Sequence, residues 1–352
     1  MTIDSLSRIA SKLKYIIQDE DTAGKAKIEN CVGSIKVPVG IASPLSVKGY
    51  DGTDGAFYAP LATCESTLAA SCLRGFKLFT DSGDIQFKGA CLLVFYSRNA
   101  ASFYDLLPDL FPEFQEAAQS TSKYAKLMKV DSQLVGSTVH VIFEYYCGNA
   151  AGQNMVTFDT QEACDRFAAS NNALVLKLRI IMIEGQSAAE KSLSWRNILQ
   201  SRGVSVMAWG TITQEACEKI LGIPTWDLYE LIQNSREVAT RNGQLGYSIN
   251  QENVVAAMFI ACGQDAGSIA ESAWSHLTTK FNDETKELGV STYFPSLHVG
   301  TVGGGSKGRL AGLIASFSLA LDMSTVAAVT NNTFAASHYR FARAPRNAQS
   351  KL

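Results

Sequence analysis

Apolar residues along the chain switch between a helical and a strand-like period, and the switches divide it into regions. Leu6, Ile9, Leu13, Ile16 and Ile17 recur at three- and four-residue spacing. That predicts a small amphipathic helix packed on the body or on a partner subunit. "SIKVPVGIASPLSV" is apolar but carries Pro38 and Pro44, so it is expected to be extended. "GYDGTDGAFYAP" has the composition of a hairpin tip. In "TCESTLAASCLRG" the small residues Ala69, Ala70 and Ser71 permit close backbone approach, which predicts a buried central helix.

The texture changes at Lys88. "KGACLLVFY" reads as a strand and "NAASFYDLL" as a helix; "SKYAKLMKV" and "TVHVIFEYY" read as a strand pair turning at Gly136. "NMVTFDTQEACDRFAAS" is helical and "ALVLKLRIIMI" is a strand. This β-α-β-β-α-β order is that of a ferredoxin-like split βαβ unit. After Gly185 the chain returns to helices: "TQEACEKIL", "TWDLYELIQN", "NVVAAMFIACGQDAGSI" and "LAGLIASFSLAL". The expected fold class is α+β. A helical large domain (34–88 and 186–345) surrounds a buried central helix and receives a ferredoxin-like small domain (89–185). An N-terminal helix and interface segment (1–33) precede it, and a short tail (346–352) follows. The longest apolar run, Leu310 to Leu321, stops at Asp322, which reads as too short to span a bilayer.

Composition narrows the classes. With 46% hydrophobic and 18% charged residues over 352 positions, a large core is attainable and wholesale disorder is excluded. A net charge of −2 leaves no electrostatic footprint for nucleic acid or an anionic membrane. The eight cysteines fall singly, with no C-x-x-C pair, which argues against a metal site or a disulfide framework and suits a reducing cytosol. "MTIDSLSRIASKLKYII" lacks the basic and apolar regions of a signal peptide. The reading is a soluble, cytoplasmic protein.

Candidate chemistry is sparse at first sight. Glu65, Lys191, Asp265 and His338 are polar residues in apolar company. Each alone has an ordinary role: a carboxylate capping a helix, a solvated lysine, a hydrogen-bonded structural histidine. "HVGTVGGGSKGRL" puts three glycines between a strand-like and a helix-like run, where a phosphate could be cradled, but it lacks the G-x-x-x-x-G-K-[ST] of a Walker A loop.

Seven collinear stretches add more. "ENCVGSIKVPVGIASPL", "PLATCESTLAASCLRG", "STSKYAKL", "CGNAAGQNM", "GYSINQENVVAAMFIACGQDA", "PSLHVGTVGGGS" and a terminal "SH" resemble, in order and spacing, the hydroxymethylglutaryl-CoA reductase family, closest to its eukaryotic-type enzymes. The resemblance runs from Glu29 to Arg343. It implies reduction of a thioester to an alcohol with NADPH, in a homodimer or higher homo-oligomer whose sites lie across an interface. It also implies roles. Glu65 matches the proton donor, Lys191 the oxyanion-stabilising cation, Asp265 the aspartate holding the network, and His338 the acid for the departing CoA thiolate. Ser122 and Lys123 match the pair that grips the 2′-phosphate, with Lys in place of Arg. Gly148, Asn149, Gly152 and Asn154 fall in the cofactor loop, with Asn149 in place of Asp. The glycines of "GTVGGG" correspond to a close-packing element near the site.

The acyl pocket departs most from the family. Lys88 stands for an arginine, Glu184 for a serine, and Ser192 and Gln233 for lysines; Glu190 replaces an aspartate, and Asn253 matches an asparagine that contacts substrate. Two cations are lost and a carboxylate is gained, so the resemblance with these departures implies a non-standard acyl group in specialised metabolism. After Ser306 a helix and loop of the family are missing. Two other uses of the same residues stay open at this point: a non-redox reaction (proton transfer, aldol-type or cyclisation), or a binding pseudoenzyme.

Overall fold

The computed structural model describes Ile17, Cys31 and residues 33–49, 52–90, 103, 105–135, 138–170, 189–302 and 305–342. The amphipathic segment expected over 6–16 and the strands expected over 91–96 and 173–183 lie outside the described residues, as does Glu184.

Strands β1 (Val39–Gly49) and β2 (Asp54–Ala62) form an antiparallel hairpin whose register shifts between Ala42 and Leu45, where Pro44 removes a ladder donor. Helix α1 (Leu68–Ser82) follows, then β3 (Ile85–Ala90). A 3-10 turn leads into α2 (Phe111–Gln119), the hairpin β4 (Lys126–Val135) and β5 (Thr138–Tyr146), and α3 (Gln153–Ala168). The chain continues through α4 (Trp195–Leu199), β6 (Val204–Ile212), α5 (Thr225–Arg241), α6 (Gln251–Ala261), α7 (Ile269–Ser272), β7 (His276–Phe281) and β8 (Leu288–Leu297). It ends in α8 (Lys307–Thr330) and α9 (Phe334–Ala342).

The fold is α+β, as expected, and its larger part also carries a six-stranded sheet, ordered β2-β1-β3-β6-β8-β7. That sheet is easy to miss in the sequence. In β6 the inward residues Val204, Val206, Ala208 and Ile212 are buried, while the large Met207 points outward, so alternation is blurred. Gly89 and Ala90, expected to open the small unit, instead lie with Lys88 at the centre of this sheet, with Lys88 opposite Met207 and Ala90 opposite Ser205. Two other boundaries differ. "TQEACEKIL" is a three-residue α turn followed by a π turn, and α6 ends at Ala261 because Gly263 turns left-handed at φ 65°.

Two helices form the centre of the large part. A Cβ on Gly75 of α1 would lie 1.9 Å from the Ala320 carbonyl oxygen of α8, so glycine is needed for the crossing. Phe76 and Phe317 stack beside it at 4.9 Å. The apolar run expected to end at Asp322 and to be too short to span a bilayer belongs to a longer helix, since α8 continues past Asp322 and runs 24 residues. By length and apolarity it could cross a membrane, yet every residue from Ile314 to Ala328 is buried inside the protein. A second core gathers around β4, β5, α2 and α3, with Phe114 against Phe143 at 5.1 Å and Phe167 at 5.2 Å. Among the described residues this part has a two-stranded sheet.

Candidate active site

Helix α6 has chemistry at both ends. At its N-terminal end, Asn253 donates to Glu65 Oε2 at 2.7 Å and to Asn250 Oδ1 at 2.5 Å. Thr67 Oγ1 donates to Glu65 Oε1 at 3.4 Å and faces His338 Nε2 at 3.4 Å. His338 Nδ1 lies 3.0 Å from the Phe334 carbonyl. A carbonyl only accepts, so Nδ1 carries the proton and Nε2 is the atom presented to Thr67. Glu65, Asn253, Thr67 and His338 thus form one cluster.

At the C-terminal end the turn after Gly263 brings Asp265 to Lys191, with Nζ to Oδ2 at 3.0 Å. The hydrogen bond that Lys191 donates to Asp265, and then the charge of that carboxylate, holds the Lys191 ammonium above its ordinary pKa. Burial would raise the Asp265 carboxyl. Hydrogen bonds from Lys191 and the Gly267 amide outweigh it and hold the group down. Both charges are therefore fixed at neutral pH. Lys191 and Ala189 take left-handed backbone angles, φ 55° and 49°, a strained turn held from below. Buried Asn197 donates to the Ala189 and Ser192 carbonyls, both at 3.0 Å. Arg202 and Glu271 pair beneath it at 3.0 Å, and burial pushes Glu271 up to about 6.

The structure therefore brings the four candidate catalytic residues together in pairs. Glu65 with His338 and Lys191 with Asp265 sit at opposite ends of a helix roughly 16 Å long.

The second core meets the Lys191 end. Gln153, first residue of α3, donates to Glu190 Oε1 at 2.9 Å. Asn149 accepts from the Thr301 amide at 2.9 Å, and a Cβ on Gly300 would lie 2.4 Å from the Ala151 amide nitrogen. At Gly300 the glycine serves close approach. Gly152 opens α3 at φ 86° with no side-chain cap and no acid in the first turn, which leaves backbone N–H groups facing outward beside Asn154. Gly148 is also left-handed. Ser122 Oγ accepts from the Tyr124 and Ala125 amides and Lys123 is exposed, on the turn after α2.

One feature has no counterpart in the sequence reading. A cavity of about 810 Å³ lies between α1 and α9, beginning at Thr67 and lined by Arg74, Lys77, Lys219 and Arg340. The helical spacing of Arg74 and Lys77 was its available signal.

Residues 4–343 match the family model for hydroxymethylglutaryl-coenzyme A reductase. The chain belongs to that family. Among relatives, the 3-hydroxy-3-methylglutaryl-coenzyme A reductase of Methanocaldococcus jannaschii is 30% identical over 85% of this chain and 76% of its own. The Haloferax volcanii enzyme is 34% identical over 81% and 71%. Among solved structures, the reductase of Streptococcus pneumoniae superposes with a TM-score of 0.69 at 15% identity, covering 94% of this chain and 93% of that one. A class II reductase from the same organism, bound to NADPH, gives 0.66 at 15% identity over 94% and 86%.

As a reductase-family chain it is an oxidoreductase by class, and the residues expected to line its acyl pocket acquire positions. Ser192 is exposed and donates to the Glu190 carbonyl at 3.3 Å. Gln233 donates to Thr279 at 2.7 Å and accepts from Arg236, whose guanidinium lies beside it. Glu190 lies 3.8 Å from Arg202. Lys88 is placed by the backbone of β3.

Proposed function

We propose that the protein is an NADPH-dependent reductase of a coenzyme A thioester, acting as a cytoplasmic homo-oligomer, with an acyl pocket rebuilt around Glu184, Ser192 and Gln233. Kinship with the eukaryotic-type enzymes belongs to the same proposal and rests on the motifs between Glu29 and Arg343. The observation that carries the function is the Lys191–Asp265 pair, a cation held in a strained turn where the second core meets the first.

The residues around α3 suit the dinucleotide. Uncapped N–H groups after Gly152 favour its diphosphate, and Ser122 with Lys123 offers a hydroxyl and a cation for the 2′-phosphate. When bound, NADPH supplies hydride. Lys191 then stabilises the oxyanion that forms on the thioester carbonyl, and Asp265 keeps that cation aimed. Glu65 holds a proton for the oxygen, positioned by Asn253 and Thr67. His338, carrying its second proton on Nε2, gives it to the departing thiolate. Arg74, Lys77 and Arg340 line a cavity that begins next to His338, where the phosphates of the leaving coenzyme would lie.

Because the two pairs stand at opposite ends of α6, one chain presents two half-sites, and a second copy supplies the complement of each. This supports the homodimer as the working unit. NADPH oxidation with hydroxymethylglutaryl-CoA tests the substrate reading. The wild type is expected to turn over far below the common enzyme value of about 10 per second. Glu184→Ser, Ser192→Lys and Gln233→Lys together are expected to raise the rate. Fast wild-type turnover contradicts the rebuilt pocket, and absence of nucleotide binding at millimolar concentration favours a non-redox reaction.

A further inference from the structure

The carboxyl of Asp322 is fully buried within the long apolar helix α8. Its oxygens accept from the Ile249 amide at 3.1 Å, the Asn250 amide at 2.8 Å and Gln251 Nε2 at 2.8 Å. Gln251, itself buried, is fixed at its other end by Thr292 Oγ1 at 2.8 Å. Asn250 is the N-cap of α6 yet makes no capping bond with its own side chain. That side chain instead accepts from Asn253 Nδ2, whose amide also donates to Glu65. An unbroken chain of hydrogen bonds and one residue's backbone therefore runs from Asp322 through Asn250 and Asn253 to Glu65.

We propose that Asp322 is a positioning residue for the proton donor Glu65, acting through Asn250 and Asn253. The proposal rests on the reading of Glu65 as the acid of the site. Three convergent donors need acceptor oxygens at this point, and the Asp322 carboxyl supplies two where an amide supplies one. Burial pushes the carboxyl up to about 7, and its bonds to Asn250, Ile249 and Gln251 oppose that rise. The titratable groups facing it among the described residues are Glu252 and the Tyr247 hydroxyl. An asparagine at 322 would turn an NH2 toward at least one of the three donors, releasing the loop before α6 and with it the side chain of Asn250. Asn253 would then lose its orientation, and Glu65 the hydrogen bond that favours its carboxylate.

The sign of the effect separates positioning from plain electrostatics. Removing a nearby anion lowers the pKa of another carboxyl and removing a neutral group through space leaves it unchanged, whereas removing a hydrogen bond to a carboxylate raises it. The experiment is a carbon-13 NMR titration of Glu65 in the full chain, assigned with Glu65→Gln, for wild type, Asp322→Asn, Asn253→Ala and the double variant. Asp322→Asn is expected to raise the Glu65 pKa by at least about half a unit, and the double variant to go no further than Asn253→Ala alone. An unchanged or lowered Glu65 pKa overturns the proposal, as does full additivity. If Asp322→Asn does not fold, Asn250→Ala breaks the same chain at a half-buried position. It must raise the Glu65 pKa as well, and an unshifted value overturns the proposal equally. NADPH oxidation by Glu65→Gln against the wild type, measured in parallel, reports on the role of Glu65 itself, so the two readings fail separately.

Discussion

The two ends of α6 hold their candidate catalytic pairs by opposite means. At the Glu65 end the side chains are tied by neutral hydrogen bonds that lead back to a buried carboxylate in α8. At the Lys191 end an ion pair with both partners close to half exposed sits on a backbone turn with two left-handed non-glycine residues. The first end draws its geometry from the core, so disturbing it should cost stability. The second draws its geometry from strain and a local clamp, so disturbing it should cost rate and spare stability. A proton donor needs a tuned environment, while an oxyanion needs a cation close at hand, and the two constructions suit those needs.

The contrast can be broken in order of expected effect. Asp322→Asn should lower unfolding free energy by about 3 kcal/mol, because at least one of its three donors loses its acceptor and meets an NH2 group in a buried place; chemical denaturation measures it, and a change within error would remove the core-wired description. Lys191→Ala should slow turnover by about a hundredfold. Its melting temperature should stay at the wild-type value, since exposed pairs contribute little. Asn197→Ala should fall between the two, losing about 2 kcal/mol of stability along with activity, because the Ala189 and Ser192 carbonyls lose a buried donor.

The smallest effect is in pH dependence. Burial lowers His298, near Asp265 and Arg202, from 6.5 to about 4, so the unfolded chain takes up a proton that the folded one refuses. Its contribution is lost as pH falls from 6.5 toward 4. Asp322 is raised from 3.8 to about 7, so the folded chain keeps a proton that the unfolded one releases, and stability rises as pH falls through that window. Melting temperature against pH should therefore fall more steeply toward acid in Asp322→Asn and less steeply in His298→Gln. Parallel profiles for all three proteins would contradict these assignments.

What the sequence made legible follows from how local each signal is. The small residues around Gly75 announced the packed centre, and Pro44 announced extended chain, because sterics act within a few residues. The sheet was hidden where Met207 and Tyr293 face outward and where β1 and β3 pair across a whole helix. The candidate site was legible through family motifs, which name residue types but not their separation along α6. The basic cavity between α1 and α9 escaped notice because Lys219 and Arg340 reach it from distant parts of the chain. Asp322 read as the end of an apolar run, since nothing local shows that Asn250 and Gln251 fold onto it.

The central claim is that each active site takes its Glu65 end from one copy and its Lys191 end from another. Mixing two inactive variants, Glu65→Gln and Lys191→Ala, under conditions that exchange subunits tests it most directly. Half of randomly mixed dimers would be mixed, and each would hold one site with both residues intact, so NADPH oxidation should return to about a quarter of wild type. Activity that stays at the level of the separate variants, with exchange shown by mass, would mean that both residues act within one chain and would contradict the account.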